Sequence, residues 1–412
     1  MSVPKLRFKE FSGDFEKNKL VEYTKWSSGG TPSKDNYEYW NGDIPLISGA
    51  SMHTQKFFES DVNITELGLK KGSKLAPKDS ILILVRGSML FNKIPMGLTL
   101  KDVAFNQDVK CIQPTQSLNS SFLFQWFLAK ENIIQNKVTS TGIGAGKLDT
   151  ADLQNLEIVV PKLEEQTKIA SFLSAVDEKI SQFTQKHKLL SQYKQGMMQK
   201  LFSQQIRFKA DDGSEFGEWE ELALKQLGKS YNGLTGKTKV DFGQGDAFVT
   251  YKQIFENRKI NLNKVDRVKI SPEESQNNVV KGDLFFTTSS ETPDEVAYCS
   301  AILDDFDYPL YLNSFCFGFR PNNQQQFSSN YASLFFRSDE FRNKILHLAQ
   351  GSTRFNISKT AFMDVEIKLP CLEEQTKIAN FLSVIDQKIE KVVQQIQETK
   401  QWKKGLLQQM FV

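Results

Sequence analysis

The 412-residue chain, 39% hydrophobic and 25% charged, is too long for one ordinary core and has the composition of a soluble protein of two or more domains. A formal charge of +3 implies no basic tail or strongly basic surface, so any grip on nucleic acid must be local or shared with a partner. Four scattered cysteines (Cys111, Cys299, Cys316, Cys371) favour reduced thiols over disulfides or zinc. With no apolar run of signal-peptide or membrane-spanning length, a cytoplasmic protein is expected.

In chain order, the first globular segment alternates short apolar runs with turn signals. Trp26 to Asp43 reads as a long loop. Ile81-Leu82-Ile83-Leu84-Val85 reads as a buried strand ended by Arg86-Gly87. Ser121 to Ala129 reads as a helix opened by a capping serine. From Leu163 the pattern changes to a long helix. Ile169, Leu173, Val176, Ile180, Phe183, His187, Leu190, Lys194, Met197 and Leu201 step by four and three in turn, the period of a coiled-coil seam. Further on, Leu284 to Thr288 and Phe315 to Phe319 read as strands, and Ser328 to Leu348 as one or two helices.

The long helix occurs twice. Leu163-Glu164-Glu165-Gln166-Thr167-Lys168-Ile169-Ala170 returns unchanged as Leu372-Glu373-Glu374-Gln375-Thr376-Lys377-Ile378-Ala379, an offset of 209. The seam follows as Ile378, Leu382, Ile385, Ile389, Val392 and Ile396. A proline precedes each copy (Pro161, Pro370) and a glutamate pair stands in each first turn, both helix-start signals. Each helix is expected to run roughly 38 residues, about 57 Å, with its apolar stripe buried against the other.

The duplication reaches beyond the helices. Arg7-Phe8-Lys9 recurs as Arg207-Phe208-Lys209; Gly30 with Lys34 matches Gly233 with Lys237 at an offset of 203. The same offset carries Asp43 to Leu46 onto Asp246 to Val249 and Ser48-Gly49 onto Tyr251-Lys252; Asn106 and Pro114 match Asn313 and Pro321 at 207. A period near 200 residues is a domain duplication, not a solenoid. The expected architecture is α/β (mixed α+β): a globular domain over 1–160, a helix over 161–206, a second globular domain over 207–369 and a second helix over 370–412.

Catalytic groups are not evident. His53, His187 and His347 are isolated, never at metal-ligand spacing. On the seam, His187 reads as a register-setting polar residue, while Lys194 and Lys403 read as lysines extending their ammonium groups to the helix edge. Gly142-Ile143-Gly144-Ala145-Gly146-Lys147 fails as a phosphate loop, because Thr141 and Leu148 stand where Gly and Ser or Thr are required. It reads instead as a glycine-rich loop whose cation can meet a DNA backbone, with Gly351 to Asn356 as its counterpart. Phe242-Gly243-Gln244-Gly245 lacks the surroundings of a dinucleotide fold. The polar loops after the strands are the better place for recognition chemistry, since Arg, Lys, Asn, Ser and Thr hydrogen-bond base edges and phosphates. The candidate DNA contacts are Thr31, Lys34, Ser48, Arg86, Ser88 and Lys147 in the first domain, and Lys237, Tyr251, Lys252, Thr288, Ser289, Arg354 and Asn356 in the second. Each competes with a plainer reading as a solvated loop residue.

The doubled Leu-Glu-Glu-Gln-Thr-Lys-Ile-Ala, followed in each copy by Phe-Leu-Ser-x-x-Asp-x-Lys-Ile, resembles the conserved signature of type I restriction-modification specificity subunits. Ser28-Gly29-Gly30-Thr31-Pro32-Ser33, with Tyr39 to Pro45 after it, is similar to the opening of that family's target recognition domains; the second domain departs here, with Asn232 to Lys237. The resemblance implies two target recognition domains, each reading half of a bipartite asymmetric DNA site, and two long antiparallel coiled-coil helices that set the spacer. It implies a chain without an active site or cofactor of its own. Two methylation subunits would dock on the helical region and supply S-adenosylmethionine and adenine-N6 methyl transfer; restriction subunits would bring ATP and Mg. Residues expected at the helix-pair and subunit interface are Gln166, Ile169, Leu173, Val176, Ile180, Phe183, Gln375, Ile378, Leu382, Ile385, Ile389 and Val392. Two other classes stay open: a self-contained DNA methyltransferase or nuclease, and a coiled-coil adaptor binding only proteins.

Overall fold

The structure is a computed structural model that describes residues 4–142 and 144–411; the segment Met1 to Val3 and Ile143 of the glycine-rich loop lie outside the described residues. The chain divides into two compact units, one of residues 1–185 with 393–412 and one of residues 186–392. Each unit therefore holds a globular domain, the first half of one long helix and the last half of the other.

In the first unit a five-stranded sheet runs in the order Thr24–Ser28, Val109–Pro114, Ile81–Leu84, Met96–Thr99, Lys56–Phe57. A four-stranded sheet has the order Asn63–Ile64, Trp40–Ile47, Val103–Phe105, Lys74–Ala76. Ile81–Leu84 is buried at every position, the pattern of a central strand covered on both faces. The helix Ser120–Ala129 packs on the five-stranded sheet, against Met96–Thr99 and Val109–Pro114, and adds Phe122, Leu123, Trp126 and Phe127 to the core. Its cap is Asn119, whose side chain accepts from the Phe122 amide at 3.0 Å, two residues before the expected capping serine, Ser121.

The second unit repeats the plan. Gly228–Asn232, Cys316–Pro321, Leu284–Thr287 and Cys299–Ala301 form one sheet; Asp266–Val268, Phe242–Val249 and Leu310–Leu312 form another. The helices Ser329–Phe335 and Asp339–Ile345 close it, with a phenylalanine-rich core that includes Phe286, Phe317, Phe336 and Phe362.

Strand registers correct the proposed alignment of the copies. Thr24 pairs with Pro114 and Gly228 with Pro321, so the first strands match at an offset of 204, and Gly29, not Gly30, corresponds to Gly233. A Cβ on either glycine would lie 2.0 Å from a carbonyl oxygen, of Phe105 or of Asn313, so this close backbone crossing admits only glycine. The next strand matches at 202: the same bulge falls between Trp40 and Ile44 in one copy and between Phe242 and Asp246 in the other. The single offset of 203 thus averages two registers, and a one-residue slip in a strand exchanges its faces. By the same step Ser48 corresponds to Thr250, both helix N-caps, and Tyr251 to Gly49. Gly243 and Gly245 belong to this bulged strand. The expected long loop Trp26 to Asp43 is also shortened, since strands take both ends and leave Gly29 to Tyr39 as connection.

The two long helices are Leu163–Phe202 and Leu372–Met410. In the first unit Ile169, Leu173, Val176 and Ile180 share a core with Leu406, Leu407, Met410 and Phe411. In the second, Ile378, Leu382, Ile385 and Ile389 share one with Met197, Met198, Leu201 and Phe202. In each unit, then, the start of one helix packs on the end of the other. Phe183 is half-buried under the Lys179 ammonium, 4.8 Å from its ring, and Val392 is buried.

Candidate nucleic-acid interface

In the first unit the buried strand Ile81–Leu84 leads directly into a second, two-residue strand, Arg86–Gly87. It pairs antiparallel with Gly146–Lys147, Arg86 opposite Lys147 and Gly87 opposite Gly146; Gly146–Lys147 pairs in turn with Thr139–Ser140. The glycine-rich segment is therefore the turn of a small hairpin. Thr141 closes it, its amide donating to the Ala145 carbonyl at 2.8 Å and its Oγ1 accepting from the Ala145 amide at 3.2 Å. Arg86, Ser88, Thr139, Ser140 and Lys147 are all exposed on or beside this sheet. Thr139 and Ser140 escape sequence reasoning because only the hairpin pairing brings them there. Asp149 approaches Lys147 at 4.0 Å, with both side chains about half exposed, a weak pair that leaves the ammonium available.

Ser48 begins the short turn Gly49–Ser51, with its amide donating to Ser51 Oγ at 3.0 Å, and a Cβ on Gly49 would touch Leu84 at 3.2 Å. Thr31 and Lys34 lie exposed on a different loop, where Thr31 donates to Gln107 Oε1 at 2.8 Å.

The second unit builds the equivalent sheet from Ser289–Ser290 and Phe355–Asn356, Ser289 opposite Asn356. Here a cleft of about 390 Å³ opens between the sheet and the helix Tyr251–Glu256, lined by Tyr251, Phe255, Ser289, Ser290, Glu291, Glu295, Phe315 and Arg354. Three of the sequence candidates, Tyr251, Ser289 and Arg354, thus meet in one place. The Tyr251 hydroxyl donates to the Ser289 carbonyl at 2.7 Å, and partial burial raises its phenol pKa. Thr288 is pinned through its backbone, donating to Phe315 O and accepting from the Ile357 amide. Arg354 is exposed in the lining, and Asn356, opposite Ser289 on the sheet, is exposed as well. Lys252 is exposed, with Glu256 3.8 Å away. Sequence reading missed Glu291, Glu295 and Phe315. Phe315 looked like the first residue of a strand, yet its side chain is 59% exposed.

Lys237 is removed from the candidate contacts. Its side chain is only 4% exposed and its ammonium bonds Glu274 and the Lys269 carbonyl. Lys237, and Gln276 after it, hold the Glu274 carboxyl at about 2, below its ordinary 4.5. A lysine so engaged staples its loop instead of meeting a phosphate.

The repeated octapeptide is explained by how each helix is attached. Glu165, 2% exposed, receives two hydrogen bonds from Arg7 at 2.8 Å. Glu374, fully buried, receives two from Arg207 at 3.0 and 2.7 Å and a third from Trp219 Nε1 at 3.0 Å. These bonds raise the pKa of both guanidiniums. Gln166 and Gln375 face their own domains and not the other helix. Gln166 accepts from the Asn119 amide and donates to the Ser117 and Pro161 carbonyls; Gln375 does the same with Ser328, Gln326 and Pro370. The seam lysines are likewise reassigned. Lys403 pairs with Asp177 at 2.6 Å, and Lys194 with Asp386 at 2.5 Å. Each ammonium is turned inward by the aspartate of the Phe-Leu-Ser-x-x-Asp stretch on the other helix.

The model of the type I restriction modification DNA specificity domain matches twice, over residues 13–191 and 217–401. The chain belongs to this family. The specificity subunit of the Escherichia coli type I restriction enzyme EcoR124I/EcoR124II is 34% identical over 182 residues, 44% of this chain and 45% of that protein; the match spans less than half the length of that relative. The specificity subunit of the Methanocaldococcus jannaschii enzyme MjaVIII is 25% identical over 95% of this chain and 93% of its own. The crystal structure of a type I restriction-modification S subunit from M. genitalium superposes with a TM-score of 0.58 over all of this chain and 99% of that one, at 13% identity. The fold is thus that of the specificity subunits, a duplicated mixed α/β domain with two long helices. All four cysteines are free thiols, and among the described residues no helix is long and apolar enough to cross a membrane.

Proposed function

We propose that this chain is the DNA-reading subunit of a type I restriction-modification complex, each unit recognising one half of a bipartite, asymmetric site. The observation that carries this reading is the duplicated short sheet. Both units set a pair of polar side chains at the same register just beyond a fully buried strand, Arg86 and Lys147 exposed in one, half-buried Ser289 and exposed Asn356 in the other, so the side chains differ between the copies. One scaffold presented twice with different chemistry suits two unlike half-sites. The long helices, divided between the units, set the spacer and dock two methylation subunits. S-adenosylmethionine and adenine-N6 transfer belong to those partners, and ATP and Mg to restriction subunits, leaving this chain non-catalytic.

Mapping N6-methyladenine genome-wide in cells expressing the chain alone, and then with its methylation subunit, tests the proposal. The expected result is a split asymmetric motif that appears only with the partner. Methylation by the chain alone would place an active site within it; no motif with a competent partner would favour the protein-binding adaptor.

A further inference from the structure

The two short sheets occupy one register but carry opposite kinds of side chain. In the first unit Arg86 stands directly opposite Lys147 on an antiparallel pair. Directly opposed residues project to the same face, and both are exposed. Two cations in that relation repel each other and destabilise the pairing. No carboxylate offsets this at Arg86 among the described residues, and at Lys147 only Asp149 approaches, at 4.0 Å. In the second unit the same positions are Ser289 and Asn356, a hydroxyl and an amide without charge. The cleft beside them holds two carboxylates, Glu291 and Glu295, against one cation, Arg354, so no excess of positive charge gathers there for a phosphate or a guanine edge.

We infer that Arg86 and Lys147 together form the guanine-reading element of the first recognition unit, and that Ser289 and Asn356, in the same register, give the second unit a different base preference led by Asn356 toward adenine. This rests on the proposed DNA-reading function and adds to it the residues and bases. The chemistry is that of the major-groove edges. Guanine presents two acceptors, O6 and N7, which suit a guanidinium or an ammonium; adenine presents N7 as acceptor and its N6 amino group as donor, which suit a primary amide. A repulsive cation pair is relieved when both cations face those two acceptors. Ser289 and Asn356 carry no such repulsion and need no acceptor-rich partner.

The test is N6-methyladenine mapping of the full chain with its methylation subunit, comparing wild type with Arg86→Ala, Lys147→Ala, the double transplant Arg86→Ser with Lys147→Asn, and Asn356→Ala. Both Arg86 and Lys147 are exposed and like-charged, so each replacement should leave the melting temperature unchanged or raise it slightly by relieving their repulsion, and the measured value checks this. Arg86→Ala and Lys147→Ala are expected to lower guanine preference at one position of one half-site by about 5- to 150-fold, the range of a single bidentate contact. The other half-site and the spacer should remain as they are. The transplant should replace that guanine by another base, and Asn356→Ala should relax an adenine in the opposite half. A motif and methylation level unchanged in every variant would leave the pair without a part in recognition, and an equal loss of methylation at all sites with the motif intact would make it a phosphate contact; either overturns the assignment. A split motif without guanine in the first half would overturn it too. If wild type gives no split motif, the proposed function itself fails, an outcome distinct from these.

Discussion

Arg207 is the residue whose loss should be felt most sharply in the second unit. Arg207→Met keeps a side chain of similar reach but strands the Glu374 carboxylate, which is fully buried and retains only the Trp219 indole at 3.0 Å. Removing one partner of a buried ion pair costs about 3–5 kcal/mol. The Arg207 side chain is 20% exposed, so water partly replaces it and the lower end, about 3 kcal/mol, is expected. In a unit of this size each kcal/mol lowers the melting temperature by about 2–4 °C, giving a fall of about 6–12 °C. Glu374→Gln added to Arg207→Met should recover most of that, because it removes the stranded charge while keeping an acceptor for the indole. Thermal and urea unfolding by circular dichroism on the four chains of the double-mutant cycle measure it. A single-variant loss below about 1 kcal/mol, or a double variant no more stable than the single, would refute the argument that a buried carboxylate anchors the helix.

Further outcomes concern the seam, the staple and the spacer. Leu173→Asp, at a site with no exposed surface in the first unit's core, should lower stability by several kcal/mol, whereas Ile180→Asp, at a half-buried site, should cost less; equal unfolding midpoints in urea would contradict the seam packing. Glu274 titrates at about 2 when folded against an ordinary 4.5. Its contribution is therefore complete above about 4.5 and lost as pH falls toward 2, so the melting temperatures of wild type and Glu274→Gln should converge across that window. Lys237→Ala should lower stability without altering the methylated motif; a changed motif would return Lys237 to the DNA contacts. One helical turn inserted after Phe183 should lengthen the spacer while both half-sites stay the same, as read by methylation mapping.

The features most legible in the sequence were those where both copies meet one chemical demand. Glu165 and Glu374, with Arg7 and Arg207, each answer the need to pair a buried charge at a helix start, so they repeat unchanged. The seam was visible because apolar spacing is itself the packing signal. Lys237 was misjudged because its partner Glu274 lies in another loop, and nothing local marks a lysine as already engaged. The strand registers slipped because loops of unequal length hide two compensating shifts, visible only once the bulges at Trp40 and Phe242 are paired. Arg86 and Lys147 could each be picked out as cations, but their direct opposition depends on a hairpin pairing that the intervening sequence does not reveal.

The division of the long helices bears on how the protein is made. The second unit, residues 186–392, is one uninterrupted stretch, while the first needs residues 393–412 to be complete. The second unit can therefore fold from one contiguous stretch, whereas the first waits on a segment made long after the rest of it. Until Leu406, Leu407 and Met410 leave the ribosome, Ile169, Leu173 and Val176 await part of their cover. The nascent chain thus carries an open apolar stripe on its earlier half for as long as the later half takes to translate, and it is in that interval that the protein is most prone to aggregate or to engage a chaperone.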